Sequence, residues 1–172
     1  GLDREHGGIL TSLDRDGTVI DTDKSVWFQG RAAWMFATLY NTVERRTEWL
    51  EAARSCVEFS RRHCFAPDGK MYFSVTREGR PLRMRRYVFS ESFAAIANAA
   101  FAKATGEARA ADDAVKNFAT YLRHSFEPGV MPPKFAFPET EDLWPALIVD
   151  PLNTKYGEGP GLETIGRLKP GV

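Results

Sequence analysis

The chain has 172 residues, of which 43% are hydrophobic and 12% aromatic, enough for one domain with a hydrophobic core. Its 23 Lys and Arg residues balance 23 Asp and Glu residues, and this zero net charge argues against a dedicated nucleic-acid-binding protein. No stretch approaches ~18 uninterrupted apolar residues and the first residues are charged. We therefore expect a cytoplasmic protein without a membrane segment. The first residue is not Met, which suggests a fragment or a processed chain.

Two segments have the composition of β-hairpins. Residues 9–20 place β-forming residues on both sides of an Asp-Arg-Asp-Gly turn at 14–17, where Asp tolerates the turn and Gly supplies a positive φ. Residues 71–83 repeat this arrangement around Glu78 and Gly79. Because the turn glycines Gly17 and Gly79 lie 62 positions apart, we expect the two hairpins to be equivalent parts of a repeat.

A long apolar helix is predicted after each hairpin, over residues 25–44 and over residues 87–105, the second ended by Gly106 as a C-cap. Both are apolar on nearly all sides, as in a helix that several neighbours bury. An amphipathic helix follows each of them. The apolar side of the first amphipathic helix carries Trp49, Leu50, Ala53 and Val57, and that of the second carries Ala110, Ala114, Val115, Phe118 and Leu122.

The order hairpin, inner helix, outer helix thus occurs twice. A fixed period of this size is typical of stacked or toroidal repeats, whose units cannot bury their faces alone. The sequence predicts an all-α fold, a partial (α/α)6 toroid built of hairpin–helix–helix repeats over residues 1–135. Prolines recur after residue 127 and exclude long helices, so we expect residues 136–172 to form an irregular Pro/Gly-rich segment.

Arg31 is the strongest candidate for a functional residue because it lies within the most apolar helix. A buried guanidinium needs acceptors, which either a ligand's hydroxyl groups or a carboxylate such as Glu91 would supply. Trp34 lies on the same helical face, where it would form a sugar platform or pack in the core. Tyr87 and Glu91 share one face of the second inner helix and are candidates for the same pocket, although an ordinary buried phenol explains Tyr87 equally well.

The three histidines and two cysteines do not form a catalytic or metal-binding pattern. His63 and His124 lie 61 positions apart at the ends of the outer helices, where an imidazole caps terminal carbonyls, and His6 precedes a turn. Cys56 and Cys64 lie ~12 Å apart on one predicted helix, too far for a disulfide bond. No catalytic residue and no metal site are therefore predicted.

Four segments of the chain form a distinctive set of motifs: His6-Gly7-Gly8, the turn at 14–17, Lys-Ser-Val-Trp-Phe-Gln-Gly-Arg at 24–31 with Trp34, and Arg-Tyr-Val-Phe-Ser-Glu-Ser-Phe at 86–93. Together with Pro-Pro-Lys-Phe at 132–135, they resemble the motifs of the N-acylglucosamine 2-epimerase family. The resemblance implies an (α/α)6 barrel that acts as a sugar 2-epimerase or aldose–ketose isomerase, with Arg31 and Tyr87 in the sugar pocket. It also implies a small sugar as the partner, no required cofactor, a nucleotide effector in some members, and a homodimer.

Family chemistry uses one histidine to remove the proton next to the carbonyl and a second to return it through an enediolate. Neither family histidine has a match in this chain, so the resemblance implies an incomplete copy. Asn153 faintly matches an asparagine-bearing segment of the family and is a further candidate for sugar binding. Two alternatives stay open: a non-catalytic sugar-binding or assembly fragment, and an α/α-barrel glycoside hydrolase, which needs two pocket carboxylates.

Overall fold

The structure is a computed structural model and describes residues 1–84 and 88–130. The described elements, in chain order, are β1 (Ser12–Leu13), β2 (Val19–Asp21), β3 (Lys24–Ser25), α1 (Val26–Thr42), α2 (Thr47–His63), β4 (Ser74–Val75), β5 (Pro81–Arg83), α3 (Phe89–Thr105) and α4 (Ala108–Phe126). None of these helices combines the length and the apolar composition needed to cross a membrane. Four predictions concern residues outside the described ranges: the boundary at 135/136, the irregular C-terminal segment, Tyr87 and Asn153.

The predicted repeat is confirmed. Strands β4 and β5 begin 62 positions after β1 and β2, α3 begins 63 positions after α1, and α4 begins 61 positions after α2. Residues 71–83 contain a hairpin, as expected, and Gly106 ends α3 with a left-handed φ of 73° while its N–H donates to the carbonyl of Ala102. We refer to residues 1–63 as unit 1 and to residues 64–126 as unit 2.

The helices form an inner and an outer layer. Inner helix α1 packs against inner helix α3, each inner helix packs against the outer helix that follows it, and α2 also contacts α3. Small side chains dominate the interface, and the main core cluster contains Ala32, Ala33, Ala37, Ala53, Cys56, Val57, Ala97, Phe101 and Ala110. Gly30 allows the inner helices to approach closely, because a Cβ there would lie 2.9 Å from the carbonyl carbon of Phe93.

A short strand that the sequence did not predict joins the two units. Strand β3 immediately precedes α1 and pairs antiparallel with β4, so that Lys24 lies opposite Val75 and Ser25 opposite Ser74. The resulting three-stranded sheet has the order β3-β4-β5. Unit 1 is thereby linked to unit 2 by backbone hydrogen bonds as well as by helix packing.

Cys56 and Cys64 are both buried and free, in agreement with the expected lack of a disulfide. Burial raises the pKa of each thiol to about 12. Among the described residues, no group of three or more His, Cys, Asp or Glu side chains is arranged to hold a metal ion.

Candidate functional site

The exposed side of α1 carries Arg31 and Trp34. The expectation that Arg31 is buried is wrong: its side chain is exposed, and within the described residues it forms no ion pair with Glu91 or any other carboxylate. The physical reason is that, within residues 1–84 and 88–130, the helices that pack against α1 are α2 and α3, and Arg31 lies on a side of α1 that neither of them covers. Trp34, which is 40% exposed, lies one helical turn further along the same side.

Helix α3 presents apolar side chains at the equivalent positions. Phe89 lies 62 positions after Trp27, and Ile96 lies 62 positions after Trp34. Phe89 is 51% exposed and Ile96 is 42% exposed. This exposure is unfavourable, because removing large apolar side chains from water lowers the free energy of a folded protein. We name the surface formed by Trp27, Arg31, Trp34, Phe89 and Ile96 the inner face. It combines aromatic and aliphatic groups with one guanidinium.

Glu91 does not belong to the inner face, which corrects the expectation that it lines a sugar pocket. Its side chain is buried, and its Oε1 accepts a hydrogen bond from the Met71 N–H at 2.8 Å. Its Oε2 is also buried and has no hydrogen-bond partner. Burial raises the pKa of Glu91 above its ordinary value, while the Met71 N–H opposes this shift.

The repeat explains what Glu91 does. Gln29 lies 62 positions earlier, and its side-chain amide both accepts from the Ile9 N–H at 2.8 Å and donates to the Ile9 carbonyl at 2.9 Å. Ile9 in turn lies 62 positions before Met71. Glu91 reproduces one of these two contacts, because its Oε1 accepts from the Met71 N–H while its Oε2 has no hydrogen-bond partner. Glu91 is therefore an anchor between α3 and the segment before β4, in a buried site that raises its pKa.

A second polar cluster, which sequence reasoning missed, joins the N-terminal loop to both units. Lys24 Nζ lies 2.9 Å from Asp3 Oδ2, both side chains are fully buried, and Nζ also donates to the carbonyls of Gly7 and Arg77 at 2.7 Å. Burial alone would raise the pKa of Asp3, but donation from Arg77, Lys24 and two backbone N–H groups lowers it well below its ordinary value. These partners lie up to 74 positions apart, so one sequence carries no signal of their contact.

The three histidines lie away from the inner face. The ring of His63 packs against Phe59 with centroids 5.0 Å apart and sits directly over Gly79, whereas capping of terminal carbonyls was expected. Burial lowers the pKa of His63 and of His124. His6 is half-buried in the N-terminal loop, with Nε2 3.6 Å from Glu5 Oε1. The expected structural role of His63 therefore rests on ring packing.

A cleft of about 360 Å³ lies on the outer side of the molecule, between residues 5–7 and helix α2. Its lining is largely charged, and two of its arginines face carboxylates: Arg54 lies 3.6 Å from Glu107 and Arg62 lies 3.9 Å from Glu58. None of the residues of the inner face lines this cleft, so it does not extend the candidate site.

Comparison with known proteins assigns the chain to one family. A family model described as N-acylglucosamine 2-epimerase (GlcNAc 2-epimerase) matches residues 7–139. N-acylglucosamine 2-epimerase of Mus musculus is 47% identical over 118 residues, which make up 66% of this chain and 28% of the relative. Cellobiose 2-epimerase of Eubacterium cellulosolvens is 29% identical over 110 residues, 63% of this chain and 27% of that protein. The chain thus spans less than a third of each relative's length.

Solved structures agree with this assignment. A sugar epimerase from a ruminal bacterium superposes with a TM-score of 0.65 at 25% identity, covering 71% of this chain and 32% of that one. Cellobiose 2-epimerase from Spirochaeta thermophila superposes with a TM-score of 0.63 at 26% identity, covering 72% and 30%. The two-unit arc of inner and outer helices is part of an (α/α)6 toroid, and the chain belongs to the N-acylglucosamine 2-epimerase family.

Proposed function

We propose that this chain forms the sugar-binding arc of a carbohydrate isomerase that epimerises a sugar at C2 or interconverts aldose and ketose through an enediolate. Membership of the 2-epimerase family supports the reaction class. The observation that carries the assignment of binding is the inner face, where Arg31 and Trp34 are exposed side by side in an otherwise apolar surface.

The inner face suits a sugar on chemical grounds. The indole of Trp34 offers a flat apolar surface for the C–H side of a pyranose ring, and the Arg31 guanidinium offers several N–H donors to hydroxyl or carbonyl oxygens. An oxyanion that develops in an enediolate would be stabilised by the same fixed positive charge. Tyr87 and Asn153 remain part of the proposal as further sugar-binding residues, whereas Glu91 does not.

Proton transfer next to a carbonyl requires only acid–base groups, so we propose that the reaction uses no cofactor, with a nucleotide acting at most as an effector. No histidine of this chain lies on the inner face, and the proposal therefore assigns substrate binding, not proton transfer, to the chain. We further propose that the protein is cytoplasmic. We also propose that the chain self-associates, with the homodimer as the simplest form.

Ligand-observed NMR with N-acetylmannosamine, mannose and cellobiose tests the binding step. We expect saturation transfer to at least one sugar and a loss of at least tenfold in affinity for Arg31→Ala, because the guanidinium would be the main polar group on the inner face. Trp34→Ala should weaken binding as well. Arg45→Ala removes an exposed arginine that follows α1 and is the matched control. Binding that survives both inner-face substitutions would contradict the assignment.

The glycoside hydrolase alternative is disfavoured by the placement of Glu91. That reading depended on Glu91 as one of two pocket carboxylates, and this carboxyl group is buried against Met71 instead. Incubation with cellobiose distinguishes the two, since hydrolysis releases glucose whereas an isomerase keeps the disaccharide intact.

A further inference from the structure

We propose that His63 is a proton-sensitive latch: its neutral ring holds the turn between β4 and β5 against the end of α2, and protonation of the ring releases that turn. The inference concerns a conformational switch and does not depend on the proposed function. It starts from the position of His63 as the last residue of α2, where its half-buried ring packs against Phe59. We refer to residues 76–80 as the second turn and to residues 14–18 as the first turn.

The second turn rests directly on the His63 ring. Gly79 is buried, and a Cβ added to it would overlap the imidazole. Backbone hydrogen bonds close the turn, since the Thr76 N–H donates to the Arg80 carbonyl at 2.8 Å and the Gly79 N–H donates to the Thr76 carbonyl at 3.0 Å. A change in the state of the ring therefore acts on the backbone of a closed turn.

The surroundings of the His63 ring are rich in positive charge. The charged groups on the elements around it are Asp3 and Glu5 of the N-terminal loop, Lys24 of β3, Arg62 of α2, and Arg77, Glu78 and Arg80 of the second turn. The buried Nζ of Lys24 lies 4.2 Å from the centre of the Phe59 ring, against which His63 packs. The end of a helix favours a cation, but Arg62 already supplies one there. Burial and the charges of Arg62 and Lys24 lower the pKa of His63.

Each of the three carboxylates in this group already has a partner. Arg77 bridges Asp3 and Glu5, with N–O distances of 2.9 Å and 3.0 Å. Glu78 accepts a hydrogen bond from the Thr76 hydroxyl at 2.8 Å. An imidazolium would therefore be a further cation without a free carboxylate. Its charge is better accommodated once the turn has moved away and the ring meets water.

The direction of the pH effect follows from this difference. Because the pKa of His63 is lower in the closed state than the ordinary value of about 6.5, the closed state binds the proton more weakly than the open state. The contact between ring and turn is complete above about pH 6.5 and is lost as the pH falls through the closed-state pKa.

Release of the second turn would loosen the junction of the two units. The Arg77 carbonyl, within the turn, accepts from Lys24 Nζ at 2.7 Å. Strand β4, which enters the turn, pairs with β3, and β3 leads directly into α1. The backbone link between units 1 and 2 is thus tied to the protonation of one ring.

Amide hydrogen exchange by NMR at about pH 7.5 and about pH 5.5, corrected for intrinsic exchange rates, tests the latch. We expect the protection of the Thr76 and Gly79 amides to fall about threefold or more at the lower pH. The first turn is the internal control, because its Asp14 and Gly17 amides form equivalent hydrogen bonds while nothing lies within 4 Å of a Cβ on Gly17. Equal protection of the second turn at both pH values would overturn the proposal.

Two ring substitutions identify the group responsible. His63→Phe keeps an aromatic ring under the turn but cannot bind a proton, so the protection of its second turn should no longer depend on pH. His124→Phe, at the equivalent position of unit 2, is the matched control and should behave like the parent chain. A pH dependence that persists in His63→Phe would overturn the proposal, since another group would then release the turn.

An NMR titration of the parent chain decides the question even if His63→Phe does not fold. The ring signals of His63 and the amide signal of Gly79 should titrate with one midpoint, below about pH 6.5. Different midpoints for ring and turn, or a shared midpoint at or above this value, would contradict the latch.

Discussion

Asp3 and Lys24 form an ion pair with both side chains fully buried, and Arg77 shares the same carboxylate at 2.9 Å. Two charges removed from water are costly, and this cost is offset here by hydrogen bonds to every charged group. Removing one partner leaves the other charge buried. We expect Asp3→Asn to lower the free energy of unfolding by ~3–5 kcal/mol near pH 7, measured by urea denaturation. Asp112→Asn, at an exposed carboxylate of α4, is the control.

The same carboxylate predicts how stability depends on acid. Because the pKa of Asp3 is lower in the folded chain than in the unfolded chain, its contribution is complete above about pH 4 and is lost as the pH falls through the folded-state value. The difference between the parent chain and Asp3→Asn should therefore shrink progressively below about pH 4. A difference that stays constant down to pH 2 would contradict the ion pair.

The contribution of Glu91 to stability depends on pH in the opposite direction to that of Asp3, because burial raises the pKa of Glu91 in the folded chain. Its favourable contribution is complete below the unfolded-state pKa of about 4.3 and is lost as the pH rises through the folded-state value. Glu91→Gln supplies the amide that Gln29 has at the equivalent position. We expect this variant to match the parent near pH 4 and to exceed it by ~1–3 kcal/mol at pH 8, in thermal unfolding followed over pH.

The reverse substitution in unit 1 is the matched control for this prediction. Gln29→Glu places a carboxyl group where an amide now bonds both backbone groups of Ile9. It should destabilise the chain, and more at pH 8 than at pH 4. If Glu91→Gln destabilises at every pH, then Glu91 is held as a carboxylate and the equivalence with Gln29 does not extend to its protonation.

At the scale of the elements, hydrophobic period and turn chemistry were enough to predict the hairpins, the four helices and their repeat. Gly17, Gly79 and Gly106 all adopt the positive φ that their positions indicated. Strand β3 was missed because two residues carry no periodic signal, and its pairing depends on β4, some 50 positions away. The exposed apolar side of α4 was also missed, because amphipathicity shows that a helix has an apolar side but not whether a neighbour covers it.

Gly30 lies where the inner helices α1 and α3 approach closely. Adding a single methyl group there, as in Gly30→Ala, should therefore change the stability of the chain. In an exposed helix Gly→Ala would stabilise by ~1 kcal/mol, but here the new Cβ would lie 2.9 Å from backbone and side-chain carbons of Phe93. We expect Gly30→Ala to destabilise by ~1–3 kcal/mol in urea denaturation, because α1 and α3 must move apart. Thr42→Ala, at the exposed end of α1, serves as the control. A variant as stable as the parent would show that the helices have room to separate.

At the scale of the whole molecule, the fold was predicted from the sequence more accurately than the candidate site. Arg31 was correctly placed on an inner helix, but its exposure could not be foreseen, since burial depends on how many units surround α1. Glu91 was assigned to the pocket because it shares a predicted helix face with Tyr87. Its true partner is a backbone N–H of Met71, whose position is set by the hairpin segment and not by helical spacing.

The arrangement of the inner face leads to a prediction about catalysis by this chain alone. Exchange of the C2 proton requires a base within ~3 Å of that hydrogen and a second group to return the proton. Among the described residues, the inner face carries one guanidinium and apolar side chains, and an arginine does not act as a base near neutral pH. The histidines lie at the N-terminal loop and at the ends of α2 and α4. We therefore expect no measurable C2–H exchange in deuterated water with N-acetylmannosamine, mannose or cellobiose, even where NMR detects binding.

Self-association of the chain would not change this expectation, because each copy brings the same inner face and no additional acid–base group among its described residues. The assay should therefore be run over a wide range of chain concentrations. Exchange that is abolished by Arg31→Ala but retained by Arg45→Ala would show that the inner face itself moves the proton. In that case the chain would be a catalyst and not only the binding arc of one.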